Sequence, residues 1–472
     1  MDWFGAGDYE VARQVLQRGT AAVFLVAFWS TLNQFPALLG ERGLLPTPQF
    51  IAMGGVRGQP TLFRWGYTDR LLRGVCAAGI LIAALLVIGV PQLAGPWAPM
   101  VAFLLLWALY LSIVTVGQTF YGFGWETLLL EAGFLVAFLG SNDQAPPLLT
   151  IILIRWLVFR LEFGAGMIKM RGGREWRDLT ALDYHHETQP MPNPLSRFAH
   201  LMPRWFHRGE VLGNHVAQLV VPWLLFAPQP VASIAALIVV ATQGWLVLTG
   251  NFAWLNILTM ILAFSAVSDD VLRVVIPVLP AGADADPPLW WAVVVIGMTV
   301  LVLVLSWRPL RNLFSRRQLM NASFNRFRLI NAYGAFGSVT KQRDEIIIEG
   351  TRDDDPLTAR WEPYEFKGKP GDPTRVPRQF APYHLRLDWL MWFLALGAHE
   401  RWFGALLQKL LQADPAILKL LRVDPFDGQR PTYVRATVWS YRFATHEERR
   451  RTGMWWMREP VGDLVRPARL RP

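Results

Sequence analysis

Between Gly19 and Trp307 the apolar positions come in long blocks, separated by short Gly/Pro turns and by two long polar loops, Glu41–Gly74 and Lys169–Glu210. A run of ~18 or more apolar residues with few charges predicts a helix that spans a bilayer. The blocks are Gly19–Gly40, Val75–Ala94, Trp97–Val116, Glu126–Gly140, Leu148–Ile168, Val211–Pro228, Pro230–Gly250, Trp254–Val267 and Leu289–Trp307. Nine spans are expected, or as few as seven if the short blocks Glu126–Gly140 and Trp254–Val267 are re-entrant.

After Trp307 the pattern changes. Arg308–Phe327 is basic and amphipathic, a pattern suited to lying along lipid headgroups. Asp344–Thr351 reads as a strand with buried Ile, Arg360–Lys369 as a second, and the alternating run Thr432–Phe443 as a third. The proline-rich stretch that follows Lys369 cannot continue a sheet interior. Asp388–Leu396 and Gly404–Arg422 look helical. The expected fold is therefore a polytopic α-helical membrane domain, residues 1–307, followed by an α+β water-facing domain with a small antiparallel sheet, residues 308–472.

Composition and charge sharpen this division. The chain is 53% hydrophobic and 17% charged, with 22 Trp. Residues 1–307 hold 17 Lys+Arg against 18 Asp+Glu, a net of −1, and residues 308–472 hold 29 against 18, a net of +11. A basic surface on a membrane protein points to anionic membrane lipid as a partner. Nucleic acid is not expected, because no recognition-motif spacing accompanies the charge. A single cysteine, Cys76, excludes an intrachain disulfide, a CxxC pair and a Cys-rich zinc site. The acidic first residues and the lack of a small-residue cleavage site argue against a cleavable signal peptide.

The segment Ile151–Asn193 carries the candidate chemistry. Its apolar part contains Arg155, Arg160 and Glu162, then reaches Gly-Ala-Gly, where a break is expected, and a loop rich in charge, aromatics and proline. Each such charge at a helix centre costs about 2.5–3.5 kcal/mol in the membrane, and each Leu, Ile, Phe or Val returns only about 0.3–0.6. Three charges outweigh a dozen apolar residues, so this helix belongs inside a bundle with its charges paired or wetted. Helical spacing puts Arg155, Glu162 and Lys169 on one stripe and Arg160 off it. The natural partners are Glu126 and Glu131 of the preceding short span, forming a polar intramembrane cluster or cavity. The loop adds Arg177, Asp178, Asp183, His185, Glu187 and Asn193. Its adjacent histidines do not share a helix face and no metal-ligand spacing is present, so no metal, cofactor or catalytic triad is assigned. Asn251, Asn256, His215 and Gln218 are candidates for interhelical hydrogen bonds. Trp389, Trp392 and Phe393 are candidates for docking a client or the membrane domain.

Several of these stretches together resemble the lipase maturation factors: GWETLLLEAGFL (124–135), RWLVFRLEFGAGMIK (155–169), WRDLTALDYHHETQPMPNPLS (176–196), TGNFAWLNILT (249–259), NAYGAFGSVTKQRDEIIIEGT (331–351) and WEPYEFKGKPGDPTRVPRQFAPYHLRLDWLMWF (361–393). The resemblance implies a multi-pass membrane protein that helps secreted lipases, or other client proteins, fold and assemble. It implies the endoplasmic reticulum membrane for a eukaryotic member and the cell membrane for a bacterial one. The membrane part is more distantly similar to the vitamin K-dependent carboxylases, which keeps a membrane enzyme acting on a lipid or peptide in the bundle cavity as the alternative. With nine spans, both basic loops and the tail fall on one side, which the positive-inside rule makes cytoplasmic. The resemblance implies instead a lumenal or extracytoplasmic tail, and this reading is preferred because the loop arginines lie in motif segments. A transporter is disfavoured by the lack of an inverted internal repeat. Oligomeric state is not readable from the chain.

Overall fold

A computed structural model describes residues 3–274, 276, 287–398 and 401–470. The helices that carry the architecture are α1 (Glu10–Leu38), α2 (Asp69–Ile88), α3 (Trp97–Val116), α4 (Gly124–Val136), α5 (Leu148–Arg171), α6 (Leu182–Thr188), α7 (Arg204–Leu219), α8 (Val231–Thr249), α9 (Leu255–Ala263) and α10 (Leu289–Leu313). The C-terminal part adds α11 (Arg386–Ala395), α12 (Arg401–Leu411) and α13 (His446–Thr452). Its strands are β1 (Arg343–Thr351), β2 (Glu362–Pro363), β3 (Tyr433–Phe443) and β4 (Trp456–Ala468).

Among the described residues, five helices are long and apolar enough to cross a membrane: α1 with the turn before it, α2, α3, α8 and α10. The other four expected spans differ for physical reasons. α4 has 13 residues, about 20 Å of helix against ~30 Å of hydrocarbon, and every one of them is buried. α5 is long enough at 24 residues but too charged to face lipid. α7 begins at Arg204, well before the expected Val211, and carries a polar first half; α9 has nine residues.

Helices α1 and α2 approach closely at Gly79, where a Cβ would meet the Phe28 ring at 2.6 Å. Thr68 caps the start of α2 by accepting from the Leu71 N–H at 3.1 Å, and Gly89 ends it in the left-handed region at φ 90°. The expected break in α5 at Gly164–Gly166 does not occur. These glycines are contact points instead: a Cβ would meet the Tyr333 carbonyl at 2.6 Å from Gly164 and Leu219 at 2.7 Å from Gly166.

The C-terminal sheet is antiparallel in the order β2-β1-β3-β4, with Ile346 opposite Val438 and Ile348 opposite Ala436. The second expected strand, Arg360–Lys369, shrinks to two residues, because from Glu365 the chain pairs with Val423 instead of β1. The expected helix Gly404–Arg422 ends at Leu411, and Asp414 caps a separate short turn that begins at Pro415. Arg308–Phe327 does not form an amphipathic helix: α10 stops at Leu313, and the following residues loop back through an Ala322–Ala332 bridge. β4 lies in a basic segment that the sequence pattern left unassigned. One apolar core runs without interruption from the membrane helices (Phe24, Phe28, Tyr110, Leu128) into the C-terminal part (Trp389, Met391, Trp402, Ile348).

Candidate functional site

The predicted polar cluster separates into three buried networks. In the first, Glu131 on α4 takes Arg160 on α5 as its ion-pair partner. Asn331 donates to the same carboxylate through its backbone N–H at 2.8 Å and its side-chain amide at 3.0 Å, and the Tyr333 hydroxyl donates at 2.8 Å. Arg160 also donates to the Asn331 carbonyl at 2.7 Å. In the second, Glu126 finds its partner not on α5 but in the C-terminal part. Arg386 donates to Glu126 Oε1 at 2.6 Å and to the Phe120 carbonyl at 2.9 Å, lies 3.4 Å from the Tyr121 ring centre, and Tyr110 donates to the same carboxylate.

The third network lies on the wall of a cavity of about 390 Å³ between α5, α7, α8 and α9. Its charged members are Glu162 and Lys169, seven residues apart on α5 as the stripe predicts. Lys169 Nζ donates to Asn214 at 3.0 Å and to Gln218 at 2.9 Å; Gln218 donates to Glu162 at 3.2 Å. Gln243 donates to the other Glu162 oxygen at 2.5 Å and accepts from Asn256 at 2.6 Å. Every charge is thus satisfied through amides rather than by direct contact, the condition for keeping ions in an apolar bundle. Trp245, Phe252 and Phe336 supply apolar wall. Arg155, the third member of the stripe, bonds the Ser265 carbonyl at 2.9 Å and the Leu225 carbonyl at 3.3 Å and lies outside this cavity.

The loop between α5 and α7 packs on the C-terminal part. Arg343 donates to the carbonyls of Glu187 at 2.8 Å and Pro190 at 3.0 Å, and pairs with Glu345 at 2.6 Å. Glu187 accepts the Phe443 N–H at 2.7 Å; burial raises its pKa. Asn193 bridges the Val247 carbonyl and Gln379, while Asn251 holds the backbone N–H groups of Phe380 and Ala381 at 2.6 and 2.9 Å. Arg177 and Asp178 are exposed and join no network of the loop. Asp183 is half-buried on α6. His185 is buried edge-on to Phe336, and burial pushes its pKa down to about 3. His186 meets His207 and Glu210 of α7. Burial would raise the Glu210 pKa, but bonds from both imidazoles and from Trp245 Nε1 pull it down to about 2.

Trp389 is 3% exposed and packs on Trp125 and Phe123 at 4.7 and 5.7 Å, so it joins the two halves and offers no surface to a client. Trp392 donates to the Thr188 carbonyl at 3.1 Å, and Phe393 lies beside Phe123 at 6.1 Å. Sequence reasoning did not reach Arg386, Asn331, Tyr333, Arg343, Gln243, His207 or Glu210 as members of these networks. The only available signal was that Asn331, Tyr333, Arg343 and Arg386 stand inside the quoted motif stretches.

These features define a multi-pass integral membrane protein whose helical bundle is joined by a buried ion pair and buried hydrogen bonds to a C-terminal part with a small antiparallel sheet. Residues 11–274 match the lipase maturation factor transmembrane domain, and residues 329–466 match the lipase maturation factor C-terminal domain. The chain is 39% identical to Lipase maturation factor 1 of Mus musculus, covering 98% of this chain and 88% of that protein. It is 38% identical to Lipase maturation factor 1 of Homo sapiens over 98% and 89%, and 29% identical to Lipase maturation factor 2 of Gallus gallus over 96% and 80%. The chain belongs to the lipase maturation factor family. No solved structure matches it.

Proposed function

We propose that this protein assists the folding and maturation of secreted lipases or other client proteins, with its C-terminal part on the lumenal or extracytoplasmic side of the membrane. The observation that carries this reading is the match to both family domains, in order and over nearly the whole chain. The interlock of Glu126 with Arg386 and of Glu131 with Asn331 adds a physical argument, since it ties the C-terminal part to the membrane helices. Residues 1–307 supply the membrane anchor, in contact with lipid, and residues 308–472 supply the client-facing surface.

The test is to express the full chain with a secreted lipase in cells that lack their own lipase maturation activity. Lipase activity per mass of secreted lipase should rise several-fold. Unchanged specific activity, with the chain abundant and inserted in the membrane, overturns the proposal.

A further inference from the structure

The histidine of the loop that had no metal-ligand spacing in sequence gains partners in space. His186 comes from α6; His207 and Glu210, three residues apart, present one face of α7. Their ligand atoms all lie within 4.8 Å of one another, and both imidazoles are 2% exposed. His186 Nε2 is 3.4 Å and His207 Nδ1 is 3.2 Å from the same oxygen, Glu210 Oε2. Bonds of about 2.0–2.1 Å directed to the corners of a tetrahedron put neighbouring ligand atoms about 3.3 Å apart.

The hydrogen-bond inventory points the same way. The other nitrogen of His207, Nε2, is 3.2 Å from the His200 carbonyl, which can only accept. Nε2 therefore carries a proton, and a neutral ring would turn the lone pair of Nδ1 towards the carboxylate. Without an ion the ring bonds the carboxylate only by taking a second proton on Nδ1; with one, the lone pair of a neutral ring and the carboxylate both face the cation. Glu210 Oε1 is already taken by Trp245 Nε1–H at 2.6 Å, which turns Oε2 towards the two rings. Carbonyl and indole thus do what outer-shell partners do at metal sites: they fix a tautomer and aim a carboxylate. His186 and Glu210 also line the 390 Å³ cavity, so a fourth position opens onto free space.

We propose that His186, His207 and Glu210 bind one divalent transition-metal ion, zinc by donor set, with its fourth coordination position open to the cavity. Two imidazoles and a carboxylate suit zinc better than magnesium or calcium, which take all-oxygen shells. The ion ties α6, and through it the loop held by Arg343, to α7. This site is independent of the lipase reading, because its test needs no client.

Full-length protein is purified in detergent, stripped of loosely held metal on a weak chelating resin, and its zinc measured. About one zinc per chain is expected. It should be lost in His207→Ala and in Glu210→Gln and kept in His446→Ala, whose imidazole is exposed in the C-terminal part. A second measurement on the wild type does not depend on the variants folding: EDTA should lower the Tm by several degrees, and zinc but not magnesium should restore it. Wild-type protein with no stoichiometric zinc and a Tm indifferent to EDTA and zinc overturns the site. So does zinc that survives both ligand substitutions in folded protein.

Discussion

His384 shows how one residue can report on the joint between the two halves. It is fully buried where α11 meets α4, with its ring against Trp125, Phe123 and Trp389, and Trp254 on a further side. Its charged neighbours are Glu126, 3.5 Å from Nδ1, and Arg386. Burial first, then Arg386, push its pKa down to about 4, while Glu126 pulls the other way without prevailing. In the unfolded chain a histidine titrates near ~6.5. Between those values the unfolded chain holds a proton that the folded one does not, so stability rises with pH across the window and is lost as pH falls through it. The shift corresponds to about 3 kcal/mol for this one group. Unfolding of detergent-solubilised protein should show a falling Tm from about pH 7 to pH 4.5, flattened in His384→Gln; a Tm that is level in the wild type would sink this account. Arg386 and Trp389 stand near His384 in sequence, but the burial that dominates its state also needs Glu126 and Trp125, about 260 positions away.

At the scale of elements, the sequence showed that α5 could not face lipid, and the reason was energetic: three charges in an apolar run. The same reasoning named Glu131 correctly as a partner, since a buried Arg on α5 needs an acid on a neighbouring helix. It assigned Glu126 to α5 as well, whereas that carboxylate is taken by α11. The pair between α4 and α5 gives a prediction. Arg160→Leu leaves Glu131 buried with only Asn331 and Tyr333 as donors, and should cost about 3 kcal/mol or more. Glu131→Gln combined with Arg160→Met removes both charges and should recover most of the loss. Thermal unfolding followed by size-exclusion fluorescence measures both; a single variant as stable as the wild type would refute the coupling. The glycines of α5 were misread for a related reason. In isolation Gly-Ala-Gly suggests a break, but here its missing side chains admit Tyr333 and Leu219.

For the whole molecule, the bonds of Arg343 to the Glu187 and Pro190 carbonyls and of Glu187 to the Phe443 N–H require that the C-terminal part and the α5–α7 loop lie on the same side of the membrane. Which side that is can be read chemically. Cys76 is buried, so Leu357→Cys, at a position 93% exposed just after Asp353, Asp354 and Asp355, would be the reactive thiol. In sealed right-side-out vesicles or intact cells, a membrane-impermeant maleimide should label it without permeabilisation if the C-terminal part is extracytoplasmic; labelling only after permeabilisation reverses the orientation. The sequence by itself determined the class of molecule, because apolar block length and charge density answer to the bilayer one segment at a time. It likewise determined β1, β3 and α11, whose patterns are local, and the polar character of α5. Only the tertiary structure decided which charge meets which, that α4 and α9 stay short inside the bundle, and that His186 stands with His207 and Glu210. Those outcomes depend on residues tens to hundreds of positions apart being brought to one place, and no local pattern encodes that distance.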